Sequence, residues 1–100
     1  MAALLVASSY LASVAAAQEI PEFDIRAFCE HRSGPNTQDN RRFETCLIVE
    51  DYALAELENF WSRTNETMRL ECIEEASSAQ RYAVLASCIM ARIRKQRRGR

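Results

Sequence analysis

One hundred residues bound the chain to a single domain. Its four cysteines form no Cys-x-x-Cys or Cys-x-x-His pair and its single histidine is His31, so a structural zinc site lacks the ligand pairs it usually uses. The formal net charge of −1 hides a split: residues 18–91 carry seven arginines against fourteen acids, while residues 92–100 carry six basic residues and no acid.

In chain order, Met1 to Ala17 contains no Lys, Arg, Asp or Glu and is mostly apolar or small, with Leu4, Leu5, Val6, Leu11 and Val14 among alanines. It ends in Ala15-Ala16-Ala17, followed by Gln18 and Glu19. Small residues at the −3 and −1 positions before a polar residue are what signal peptidase reads, so this stretch is expected to be a leader cleaved after Ala17. A retained anchor needs roughly 20 strongly apolar residues. This run is shorter and is diluted by Ser8, Ser9 and Ser13. Export would put the chain in the periplasm or outside the cell. There an even number of cysteines reads as a disulfide framework for Cys29, Cys46, Cys72 and Cys88. A domain this small needs such staples, and each bridge closing about 15 residues adds on the order of 3 kcal/mol through the unfolded state.

Pro21 before Glu22, Phe23 and Asp24 predicts a helix from about Glu22 to Arg32, because proline and acids suit a first turn. Ser33-Gly34-Pro35-Asn36-Thr37 breaks it. A second helix is predicted from Asp39 to Arg63, with Phe43, Cys46, Leu47, Ala53, Leu54, Leu57, Phe60 and Trp61 recurring at helical period. Thr64, Asn65 and Thr67 are candidate caps for the next helix. That third helix is predicted over Glu66 to Ala76, with Met68, Cys72, Ile73 and Ala76 on one face. After Ser77 and Ser78, a fourth is predicted from Ala79 to Lys95 with Tyr82, Leu85, Cys88, Ile89 and Ile93 aligned. No segment alternates with period two. The expected fold is all-α: two disulfide-stapled helical hairpins forming a four-helix domain over residues 18–91, followed by a basic tail over residues 92–100.

Each half carries a cysteine near the end of a short helix, a turn, and a second cysteine about two turns into a longer helix. Sixteen residues separate Cys29 from Cys46 and fifteen separate Cys72 from Cys88. Phe43-Glu44-Thr45-Cys46-Leu47 lines up with Leu85-Ala86-Ser87-Cys88-Ile89. The pattern reads as an internal duplication, although any two cysteine-bearing amphipathic hairpins would share much of it. In a helical hairpin, residues equidistant from the turn face each other, which favours Cys29–Cys46 and Cys72–Cys88. The two crossed connectivities stay open on sequence alone.

The cysteine layout, the Cys46-x-x-x-Glu50-x-x-Ala53 run, Trp61 and the Cys72-to-Cys88 half resemble a function-unknown group of small exported four-cysteine helical proteins of proteobacteria. The resemblance spans most of residues 18–100 on few residues. It implies export and disulfides, and brings no activity or functional residue. The turn from Ser33 to Asn40 departs from it in lacking a glycine-rich run.

Residues suited to chemistry are sparse. Glu74 and Glu75 are adjacent, as are Glu50 and Asp51, and neighbours on a helix point to different sides. Paired carboxylates for hydrolysis need a shared cleft. The chain is therefore expected to be no enzyme and to use no metal or cofactor, with no small-molecule substrate evident. Glu50 interrupts the apolar stripe and, if buried, needs a partner. The duplication matches it with Arg92, which makes Glu50–Arg92 a candidate pair; the favoured alternative is that both residues lie at the edge of the stripe and reach water. Phe60 and Trp61 are expected to plug one end of the core. Arg92, Arg94, Lys95, Arg97, Arg98 and Arg100 are candidates for binding an anionic surface. The expected function is a non-enzymatic interaction protein of the cell envelope, an accessory or inhibitory subunit with a protein partner. The alternative is a peripheral protein held to an anionic membrane surface by the basic tail or a retained leader. Nucleic acid ranks last among the partners.

Overall fold

A computed structural model describes residues 19–34 and 40–99. The leader expected over residues 1–17 and the candidate residue Arg100 lie outside the described residues. Four α-helices follow in order: α1 (Ile25–Ser33), α2 (Asn40–Phe60), α3 (Glu66–Ser77) and α4 (Tyr82–Arg98). A 3-10 turn, Trp61–Arg63, extends α2. No strand occurs among the described residues. α2 and α3 both pack on α4, and α1 packs on α2. The expected all-α pair of stapled hairpins is the fold.

Asp24 starts α1, its Oδ1 accepting from the Ala27 N–H at 3.0 Å. The helix begins three residues later than predicted because the far end of the domain holds the preceding segment. The Tyr82 hydroxyl accepts from the Phe23 N–H at 3.0 Å and donates to the Pro21 carbonyl at 3.0 Å. Gln80 Oε1 accepts from the Asp24 N–H at 3.3 Å, and the Phe23 and Tyr82 rings stack with centroids 5.0 Å apart. These contacts satisfy amide groups that a longer helix would have used. α1 ends at Gly34, whose φ of 79° suits a residue without Cβ.

α4 also starts three residues later than predicted. Ala79 and Gln80 both donate to the Ala76 carbonyl, and Gln80 takes a left-handed φ of 54° that ends α3. A non-glycine residue there leaves no mark in the sequence. At the other end α4 runs to Arg98, so most of the predicted tail is helix. Asn65 caps α3 by accepting from the Met68 N–H at 2.8 Å, as one of the three predicted candidates.

The core is built from Ala53 and Leu57 of α2, Met68, Cys72 and Ala76 of α3, and Tyr82, Leu85, Ala86 and Ile89 of α4, closed by Phe23. Trp61 packs against it half-buried, with the Arg69 guanidinium 5.2 Å above its ring. Phe60 is half-buried under Arg63 and is not part of the core cluster, so the expected plug is Trp61 alone.

Cys29–Cys46 joins α1 to α2 and Cys72–Cys88 joins α3 to α4, each with Cα atoms 5.6 Å apart. This is the pairing the hairpin geometry favours. In both hairpins the first cysteine is fully buried and the second is half-buried. The aligned apolar residues differ: Leu85 and Ile89 are core, whereas Phe43 and Leu47 are half-buried. The two hairpins thus share their staple but not their packing. Two formed bridges fit an oxidising compartment, the setting of exported chains. Among the described residues, no helix is long and apolar enough to cross a membrane.

Candidate functional site

Glu50 is completely buried on the inner face of α2, in register with Ala53 and Leu57. Its partner is not Arg92. Oε2 meets Arg81 Nη2 at 3.4 Å and Oε1 accepts from the Ala83 N–H at 3.3 Å. Arg92 pairs instead with Glu71 of α3, on the surface. The candidate Glu50–Arg92 pair fails because the two hairpins do not dock symmetrically, and of the two residues Arg92 reaches water whereas Glu50 does not. Position 50 faces the N-terminus of α4, whereas position 92 faces α3.

The arrangement has a local cause. Arg81 precedes α4 and provides no side-chain cap, so the first amides of that helix need an acceptor from elsewhere. Glu50 supplies it from the neighbouring helix, and a carboxylate there also suits the positive end of the α4 dipole. The Arg81 guanidinium lies between this carboxylate and the Phe28 ring of α1, 4.7 Å from its centroid. Its buried Nε–H has no acceptor among the described residues. One arginine therefore links three helices.

Beside Arg81 opens a cavity of about 460 Å³ against the Cys29–Cys46 staple. Arg32 at the end of α1, Arg41 and Arg42 in the first turn of α2, and Arg81 stand on its wall. Glu50 is the one acid on that wall among the described residues. Four arginines thus line one opening on a body whose net charge is negative. Local physics does not favour this, since cations in the first turn of a helix oppose its dipole. Val49 also lines the cavity and leads to an outer ridge of α2, where Ile48, Val49 and Tyr52 are 67%, 47% and 68% exposed. Steps of three and four place Arg41, Thr45, Ile48 and Tyr52 along one side of the helix, opposite Glu50, Ala53 and Leu57.

Sequence reasoning passes over this surface. Arg41-Arg42 at a helix start is the signal that would have found it, together with Ile48, Val49 and Tyr52 falling outside the apolar stripe. Of the predicted anionic-surface residues, Arg94, Lys95, Arg97 and Arg98 are exposed on the last turns of α4. Arg94, Lys95 and Arg98 lie away from the side on which Ile89 and Ile93 pack, whereas Arg97 follows Ile93 by four residues along that side. Cations there suit the negative end of the helix dipole. Arg92 is set apart from them by its pairing with Glu71. His31 is exposed, and no group of three metal-ligating side chains occurs among the described residues. The chain matches no protein-family model, no curated protein and no solved structure.

Proposed function

We propose that the chain is an exported, non-enzymatic interaction protein of the cell envelope, an accessory or inhibitory subunit that engages a partner protein through the outer side of α2. Its group is the small exported four-cysteine helical proteins named above, and its compartment is the periplasm or the cell exterior. The observation that carries the reading is the ridge of Ile48, Val49 and Tyr52: three large apolar side chains, adjacent and exposed, on a helix whose inner side already fills the core. Contiguous exposed apolar surface on a small domain marks an interaction site. Two disulfides would keep the presenting helix rigid, which lowers the entropy cost of association.

A photo-crosslinking residue at position 52 of the full chain, expressed in its native compartment, tests this. The expected result is an adduct of defined mass that disappears when Ile48→Glu is added, with helical content and thermal unfolding unchanged. Adduct formation no greater than from exposed position 74 would reject the reading.

A second reading rests on the helical extension to Arg98. Arg94, Lys95, Arg97 and Arg98 present a basic helix end to an anionic membrane surface, each residue contributing about 1 kcal/mol near such a surface. Co-sedimentation with vesicles containing phosphatidylglycerol, at low and high salt, compares the chain with a version ending at Ile93. The expected result is salt-sensitive binding lost on truncation. Equal binding by both forms would remove the basic end from consideration.

A further inference from the structure

We propose that the protein docked on the outer side of α2 is a second copy of this chain, whose α2 runs antiparallel to the first across a twofold axis near position 50. This identifies the partner at that face and rests on the reading of α2 as a docking helix.

Spacing is the first observation. Thr45, Ile48, Tyr52 and Ala55 follow one another at steps of three, four and three, and all four are exposed. That alternation is how one helix lays a seam along another. About a twofold axis near position 50, Ile48 falls opposite Tyr52 of the second copy and Thr45 falls opposite its Ala55. Each copy thus supplies both halves of every contact, as a twofold interface requires.

Charge order is the second observation, and it selects a second copy over other occupants. Val49 flanks the seam, with Arg42 seven residues before it and Glu56 seven residues after it on the same flank. Reversing the helix brings Arg42 beside Glu56 of the second copy, twice, with Val49 against Val49 between the two pairs. The opposite flank carries Glu44, Asp51 and Glu58, all exposed acids. The copies therefore close on the Val49 side and leave those acids at the rim in water. A parallel arrangement brings Asp51 beside Glu56 of the second copy, a like-charge contact. An anionic membrane surface meets the same acids. A foreign protein would need an apolar seam flanked by an acid and a base in the opposite order, and α2 already carries that pattern. One helix face is smaller than the roughly 20–30 residues a side of a standard interface, so the dimer is weak and forms at high concentration.

The test uses the oxidised chain purified from its native compartment. Sedimentation equilibrium from about 10 μM to about 1 mM is expected to show a reversible monomer–dimer equilibrium. The photo-adduct from position 52 is expected at twice the mass of the chain. Ile48→Glu is expected to abolish both. Arg42→Glu and Glu56→Arg are each expected to weaken the dimer about tenfold, because each turns both ion pairs into like-charge contacts, with circular dichroism unchanged. An equimolar mixture of these two variants is expected to recover the affinity, since opposite charges then face each other at both pairs. A mixture no tighter than either variant alone would overturn the proposal, as would a monomer at every concentration. A monomer whose position 52 crosslinks to a different protein in the native compartment would overturn the second copy and leave the docking face of α2 intact. A dimer indifferent to Ile48→Glu would overturn both.

Discussion

Glu50 and Arg81 set the energetics at the scale of single residues. Removing one member of a buried, hydrogen-bonded charge pair leaves the other without compensation, typically at 3–5 kcal/mol. Arg81 keeps 28% of its side chain exposed and regains some hydration, so the low end applies. Glu50→Ala is expected to lower unfolding stability by about 3 kcal/mol in urea titrations. Glu50→Gln is expected to cost less, because an amide oxygen still accepts from the Ala83 N–H. A double-mutant cycle with Arg81→Ala is expected to show coupling. The same cycle between Glu50 and Arg92 is expected to be additive, and Arg92→Ala alone to change stability by about 0.5 kcal/mol or less, as befits a half-exposed pair with Glu71. Coupling of Glu50 to Arg92 and not to Arg81 would contradict the observed docking of the hairpins.

The two staples differ in what they hold at the scale of elements. Cys72–Cys88 lies within the core shared by α3 and α4, where Cys72 itself is a packed residue. Cys29–Cys46 attaches α1, whose one fully buried side chain is Cys29. Each closes a loop of similar length, so the unfolded-state contribution is about 3 kcal/mol for either. Their native-state consequences diverge. Replacing Cys29 and Cys46 with serine is expected to release hydrogen-exchange protection in α1 and to leave α3 and α4 protected. Replacing Cys72 and Cys88 is expected to lower protection in α2, α3 and α4 together. Uniform loss across the chain in the first variant would mean that α1 is part of the same cooperative unit.

Charge and compartment act at the scale of the whole molecule. The acidic body and the basic end of α4 give the chain a strong charge asymmetry that its net charge of −1 conceals. A chain exported through a cleavable leader and oxidised afterwards has a defined mass signature. Intact mass from the native compartment is expected to lack the first seventeen residues and four hydrogens. A leader retained on a reduced chain would refute export with oxidation. Chelation is expected to leave the helical circular dichroism spectrum unchanged, whereas reduction weakens it.

The sequence by itself determined the features set by neighbouring residues. Apolar period located four helices, the break at Gly34 separated the first two, and the distances of Cys29, Cys46, Cys72 and Cys88 from their turns favoured the observed pairing without excluding the crossed ones. Asn65 was readable as a cap because its acceptor lies three residues before the donor. Only the tertiary structure decided what crosses between hairpins. Tyr82 holds Phe23 across 59 positions and thereby delays α1, and Glu50 reaches Arg81 across 31 positions rather than Arg92 across 42. Periodicity states which side of a helix is apolar but not the angle at which two hairpins dock. That angle assigns a buried acid its partner and gathers Arg32, Arg41, Arg42 and Arg81 around one cavity. Arginines far apart in sequence become neighbours only once the staple and the helix packing bring them together.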